Sequence, residues 1–468
     1  MVFYKKLLAT DMSKLKPYTT YYPVQYDYVS QLPESWKLLP NLAIFQERKE
    51  RGFELEELLS VTIGKGVIRQ SDLDKKDSST LDKSKYLLVH PGDLVYSMRF
   101  RQGASGYSTY KGIVSPACTV LRPKAEINQR YYHYLFRTGF YKNYIERFSY
   151  GIADGQIPLR YVDFKRMYSI FPPIETQNTI VEYLDQKTAQ IQEFIAKKER
   201  LVELLEEQKQ VFIGKIFQDF DSSKTPLKYL ITKIGSGLTP LGGATTYVNK
   251  GIIFLRSQNI HFEGLHLDDV AYISENVHSQ MKGSQVKFKD VLLNITGASI
   301  GRCTVFDMKK EANVNQHVCI IRPNSKMSSR FLAYYLSTTE IQDEIKNSQD
   351  GASREGLALS NIRKFQIPNI DKQNQQIIVE QIQNKASEIQ NLISKAKLEI
   401  EKAKEYQESL ITQVVTGQLQ VPMSELGLEG LKENRIIKSS SSGQEVLKSS
   451  NPQILISSNP KNPNPDNI

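Results

Sequence analysis

Arginine, glutamine and asparagine recur in glycine-containing segments of this chain, a pattern suited to reading the edges of nucleic-acid bases rather than to breaking bonds. In the first half, Lys65 and Arg69 precede MRFRQGASGYSTYK, which carries Arg99, Arg101, Gln102, Ser105, Tyr107, Tyr110 and Lys111, and Gln156 and Arg160 follow. In the second half, Thr239, Thr245 and Thr246 lead to LRSQNIH, with Arg256, Gln258, Asn259 and His261. Asn294, Thr296, Ser299 and Arg302 come next, then Asn315, Gln316 and Arg354. Arginine offers paired donors to guanine and glutamine a donor and an acceptor to adenine, while Lys, Ser and Tyr commonly hold phosphate. Taken singly, each side chain would serve equally well in a solvated loop or a structural hydrogen bond. As clusters they point to base and phosphate contact.

Signatures of bond-breaking chemistry are missing. TIGKGVI at Thr62 lacks the first glycine and the hydroxyl of a phosphate-cradling loop. No glycine-rich cofactor turn is joined to an Asn/Asp-Pro-Pro-aromatic base pocket, and there is no HExxH, GxSxG or nuclease carboxylate cluster. Asp93 and Asp290 read as turn residues, not metal ligands. Cys118, Cys303 and Cys319 lie far apart, outside zinc-ligand spacing with the histidines, and read as buried free thiols. A binding protein is favoured over an enzyme, although an active site scattered along the chain stays open.

Lys plus Arg number 61 against 51 Asp plus Glu, a formal charge of +10 that favours a polyanionic partner. Nucleic acid leads, with ribosome-associated and anionic-membrane proteins sharing the signature. MVFYKKLLATDMSKLK lacks the apolar core of a signal peptide, and no run approaches a membrane span, so the expected location is cytoplasmic.

The elements that must position these clusters occur twice. IVEYLDQKTAQIQEFIAKKERLVELLEEQKQVFIGKI from Ile180 is answered without a gap by IVEQIQNKASEIQNLISKAKLEIEKAKEYQESLITQV from Ile378. The seam Val181, Leu184, Thr188, Ile191, Ile195, Lys198, Val202, Leu205, Lys209 and Phe212 is matched by Val379, Ile382, Ala386, Ile389, Ile393, Ala396, Ile400, Ala403, Gln407 and Leu410. Alternating steps of three and four make apolar stripes that bury against another helix. Large residues in the first copy facing alanines in the second favour pairing within the chain. A homodimeric coiled coil is the alternative, weakened by Lys198 and Lys209. A helix from about Gln177 to Ile216 is roughly 60 Å long at about 1.5 Å per residue, against about 34 Å for a turn of duplex. Packed antiparallel, the two would act as a ruler between attached domains.

Upstream of each helix lies a mixed segment with a shared skeleton. Gly92-Asp93-Leu94-Val95 resembles Lys289-Asp290-Val291-Leu292, and Gly103-Ala104-Ser105 recurs as Gly297-Ala298-Ser299. ACTVLRP recurs as VCIIRP, and YYHYLF from Tyr131 as FLAYYL from Phe331. The expected class is α+β. Residues 1–32 read as a tyrosine-rich N-terminal arm, a short helix and then an extended stretch. The serine-, asparagine- and proline-rich residues 437–468 read as a disordered tail.

PESW at Pro33, IIFLRSQNI at Ile252, DVLLNITGASIG, the helix starts pairing Pro172 with Gln177 and Pro368 with Gln373, and LITQVVTGQLQV together resemble the specificity subunit of type I restriction-modification systems. The resemblance implies two similar target recognition domains, two long antiparallel spacer helices and a pseudo-twofold internal repeat. It maps target recognition domain 1 to 33–172, the central spacer to 173–218, domain 2 to 222–367 and the distal spacer to 368–422. It further implies a non-catalytic chain that reads a bipartite, asymmetric site in double-stranded DNA and binds no cofactor. Two modification subunits would use S-adenosylmethionine to methylate adenine at N6. In the restriction form, two translocating nuclease subunits would use ATP and Mg. The openings LAIFQERKERGFELEELLSVTIGKG and LKYLITKIGSGLTP differ, so unlike half-sites are expected. A structural coiled-coil protein whose basic halves bind RNA or protein without reading sequence is the competing reading.

Overall fold

Apolar runs flanked by acidic turns build two sheets of the same order. They are seen in a computed structural model that describes residues 15–26, 28–73, 82–148, 159–220, 223–348 and 356–422. The start of the expected arm and the whole expected tail lie outside the described residues. The chain divides into two units, Met1–Gln190 with Tyr406–Ile468, and Ile191–Glu405.

In the first unit, Phe45–Arg48, Thr119–Pro123, Leu94–Tyr96 and Ser105–Tyr107 form an antiparallel sheet in that order. Leu94, Val95 and Tyr96 are all buried, which explains their unbroken apolar run. Asp93 opens this strand as a turn residue, accepting the His90 N–H at 2.7 Å and both Nε and Nη2 of Arg48. The helix Gln129–Arg137 is capped by Asn128 and buries Tyr131, Tyr132, Leu135 and Phe136 in a core shared with Phe45 and Leu121. The described part of the arm is extended but paired, with Tyr21–Tyr26 antiparallel to Val29–Pro33.

The second unit repeats this frame with Ile231–Ser236, Val318–Pro323, Val291–Asn294 and Cys303–Val305. Asp290 accepts the Lys287 N–H at 2.7 Å and two bonds from a guanidinium, but the arginine is Arg322, on a different strand of the frame from Arg48. Lys289 occupies the Gly92 position with φ 72°, against 89° at Gly92, so both turns use left-handed backbone although only one has glycine. Ser328 caps the helix Ser329–Leu336, the counterpart of Gln129–Arg137.

The frames carry different additions. The first unit has the hairpin Leu59–Thr62 with Gly66–Arg69. The second has a shorter hairpin, Ile260–His261 with Gly264–Leu265, and a sheet ordered Ala271–Ile273, Ile252–Leu255, Ala312–Val314 and Gln285–Val286, with one parallel pair. Two thiols are buried as expected, Cys303 and Cys319. Cys118 is only half-buried, because it sits in the turn before its strand and not within it.

The central helix is Ile174–Gln218 and the distal helix Lys372–Val415. In the first unit, Ile180, Val181 and Leu184 share a core with Leu410, Val414 and Val415. In the second, Val202 and Leu205 pack on Ile389 and Ile393, and Lys198 meets Glu399 at 2.6 Å. Early residues of one helix meet late residues of the other, so they run antiparallel. Lys198 is thus matched by a carboxylate, and Lys209 lies 3.6 Å from Glu263. Near the end of the central helix the buried positions are Ile213, Ile216 and Phe217, with Phe212 half-buried.

Each long helix is fastened to its unit by a buried amide. Gln177 donates to Pro172 O at 2.8 Å and accepts the Asn128 N–H at 2.9 Å, at the cap of Gln129–Arg137. Gln375 donates to Ile370 O and Lys326 O and accepts the Ser328 N–H at 2.7 Å. The repeat of Gln177 is therefore Gln375, not Gln373, which is exposed and bonds Asp371 through its backbone. The proline spacing misled because Ile370 stands where the first copy has Pro172. Distal-helix capping falls to Asp371, whose carboxylate accepts the N–H groups of Gln373 and Asn374 and is held below its ordinary value chiefly by the Asn374 bond.

The turn after the distal helix holds Gly417, φ 75°, where a Cβ would come within 2.8 Å of Pro33 and 2.9 Å of Trp36. PESW and VVTGQL, far apart in sequence, are two sides of one contact. Replacing Gln177 by Leu strands the half-buried Asn128 N–H and the buried Pro172 C=O, the latter costing about 1–3 kcal/mol and the former less. Urea unfolding of the purified chain should show the first unit destabilised by about 2–4 kcal/mol; a change under about 0.5 kcal/mol would contradict this role.

Candidate nucleic-acid interface

In the first unit the candidate residues gather around the hairpin Leu59–Arg69. Lys65 is exposed at its tip, where its N–H bonds Thr62 Oγ1 at 3.0 Å. Arg69 lies 4.9 Å over the Tyr110 ring and 3.2 Å from Glu57. Lys111 pairs with Glu56 and Arg101 with Glu146. Arg99 and Gln102 are exposed beside the short turn Phe100–Gln102, and Arg160 is exposed at the start of Tyr161–Phe164. Gln156 lies outside the described residues.

Arg130 and Arg137 escaped the sequence reading because they lie inside an apolar helix. Arg137 donates to Ser105 O, Ile63 O and Gly64 O, tying the hairpin tip to Gln129–Arg137. Arg130 lies 5.6 Å over the half-buried Tyr107 ring. Burial, then the nearby charges of Arg137 and Arg130, push His133 down to about 3, leaving a neutral ring edge-on to Tyr107.

In the second unit one network joins residues from distant segments. Thr239 donates to Gln316 Oε1, and Gln316 Nε2 lies 3.1 Å from His317 Nε2. His317 Nδ1 lies 2.5 Å from Thr296 Oγ1. A second group centres on Asp269, which takes bonds from Arg256 and Gln258, while His261 stacks on His266 at 3.8 Å. Thr245 and Thr246 bond the carbonyls of Gly242 and Gly243. Arg302 is half-exposed, its N–H on Ser299 O, and Arg354 lies outside the described residues. Asp269 and His317 were missed; the adjacency of His317 to Asn315-Gln316 was the available signal.

Several candidates are structural. Ser105 is 2% exposed. Asn259 is buried, caps the turn by accepting the Arg256 N–H and donates to His266 O. Asn294 is buried and donates to Ser257 O and Ser299 Oγ. Asn315 accepts the His317 N–H. Side chains so enclosed reach no base without the surface opening, and their polar type alone did not reveal it.

Burial pushes the thiols of Cys303 and Cys319 up to about 12, so neither is a thiolate near neutrality. Among the described residues no His/Cys/Asp/Glu group could hold a metal ion, and no helix is long and apolar enough to cross a membrane.

The model of the type I restriction modification DNA specificity domain matches residues 44–204 and 268–402, more than half of the chain. The type I restriction enzyme EcoBI specificity subunit of Escherichia coli is 21% identical over 398 residues, covering 78% of this chain and 82% of that protein. A solved chain from work on complex assembly and conformational transition of the type I R-M system superposes with TM-score 0.64 at 15% identity, covering 83% of this chain and 99% of its own. The HsdS subunit from Thermoanaerobacter tengcongensis gives TM-score 0.47 at 15% identity, covering 85% and 99%. The two matched segments each cover most of one copy of the frame and the larger part of the helix that follows it: this chain belongs to the type I restriction modification DNA specificity family and is a specificity subunit.

Proposed function

We propose that the chain reads a bipartite, asymmetric site in double-stranded DNA and directs adenine-N6 methylation, and restriction, by partner subunits. Residues 33–172 read one half-site and 222–367 the other. The single observation that carries this is the pairing of a shared frame with unlike additions. The Asp93 and Asp290 strands, the capped aromatic helices and the buried glutamines recur, while the hairpin packed on the last frame strand differs in size, being Leu59–Thr62 with Gly66–Arg69 in the first unit and the shorter Ile260–His261 with Gly264–Leu265 in the second. A repeat kept for identical targets would have no reason to diverge at one place and hold elsewhere.

The candidate side chains support direct readout over uniform phosphate binding, because arginine and glutamine sit among threonines and tyrosines instead of forming a lysine-rich face. The paired helices set the gap between half-sites, each contributing a continuous run of 45 or 44 residues. Two modification subunits use S-adenosylmethionine, and two restriction subunits use ATP and Mg; the chain itself is non-catalytic, binds no cofactor and acts in the cytoplasm.

Exchanging residues 33–172 for the corresponding domain of a relative should change one half of the methylated site and leave the other half and the gap intact. A change in both halves, or in neither, would overturn the assignment. Incubated alone with DNA and labelled S-adenosylmethionine, the purified chain should transfer no methyl group, and transfer should begin when the modification subunit is added. Methylation by the chain alone would refute the non-catalytic role.

A further inference from the structure

Gln316 is exposed in the turn between Ala312–Val314 and Val318–Pro323, yet both ends of its amide are held. Its Oε1 accepts the Thr239 hydroxyl and its Nε2 faces His317 Nε2. For Nε2 of the ring to accept, the ring proton must sit on Nδ1, where it is donated to Thr296 Oγ1 at 2.5 Å. Amide orientation and ring tautomer are therefore coupled, and neither reverses without the other.

Close backbone packing builds this arrangement. A Cβ on Gly237 would lie 2.1 Å from Val314 O and 2.3 Å from Asn315 O, so glycine lets the Thr239 loop approach Gln316. A Cβ on Gly356, φ 110°, would lie 2.5 Å from Ile295 O, beside Thr296. Backbone bonds from Ile295 N–H to His317 O and from Leu238 N–H to Val314 O close the same junction.

A primary amide has two N–H donors and two acceptor lone pairs. The bonds to Thr239 and His317 engage one of each. What is left is one donor and one acceptor at a fixed orientation, complementary to N7 and the N6 amino group of adenine in the major groove. Guanine presents two acceptors there, N7 and O6, and would leave the glutamine oxygen facing another oxygen. Resting on the DNA-reading function above, we propose that Gln316 is an adenine-reading residue of the second target recognition domain, with Thr239, His317 and Thr296 as its positioning residues.

The experiment is selection of bound duplexes from a random-sequence library by the full chain with its modification subunit. Wild type should return a two-part motif, and Gln316→Leu should lose preference at one A·T position of one half. At that position adenine should be disfavoured at least about fivefold relative to wild type. The remaining positions of the same half report that the second unit is folded. Thr239→Val should relax the same position and Thr239→Ser should restore it, an outcome that a merely structural threonine would not give. An unchanged motif with Gln316→Leu, or relaxation spread over many positions, overturns the assignment of Gln316 while leaving the DNA-reading function standing. A wild type that selects no motif removes both.

Discussion

A buried primary amide at the start of each long helix is the constraint on which the rest depends. Gln177 and Gln375 each satisfy backbone groups from two segments, the turn before the helix and the cap of the aromatic helix. The Pro172 and Ile370 carbonyls among them are buried, so their loss of the amide is not made good by water. Apolar packing alone would let a helix slide or rotate against its sheet at little cost. The hydrogen bonds fix one orientation, since they are directional and an unmet partner is penalised. A unit that reads DNA is useful only if its surface is held at a set angle to the element that carries it.

Conserved and divergent parts of the repeat separate along this line. Frame residues are buried or clamped: Asp93 by Arg48, Asp290 by Arg322, the aromatic helices by their sheets. Even there the repeat keeps the interaction more faithfully than the residue, since the arginine comes from a different strand in each copy. The additions are polar and partly exposed, with Arg69 on Tyr110 in one unit and the Gln316 network in the other. Their ion pairs with Glu57, Glu56 and Glu146 are exposed and individually weak, so they can exchange for phosphate without a large stability loss.

Much of the architecture was legible in the residues. The stripe through Ile191, Ile195 and Leu205 and its echo through Ile389 and Ile393 revealed the helices, because period is a local property. Asp93 and Asp290 were legible as turns for the same reason. What depended on tertiary context was not. Lys198 looked like a blemish in the seam until Glu399 met it. The proline offset selected Gln373 where packing uses Gln375. Ser105, Asn259 and Asn294 have the composition of a surface loop, and only the topology shows them enclosed. Conversely Arg137, hidden in an aromatic helix, pins the hairpin tip.

The most direct measurement is a genome-wide map of N6-methyladenine in cells carrying this chain and in cells lacking it. The account predicts one motif that depends on the chain, made of two unlike halves at a constant gap. A contiguous motif, a gap that varies from site to site, or methylation that persists without the chain would contradict it.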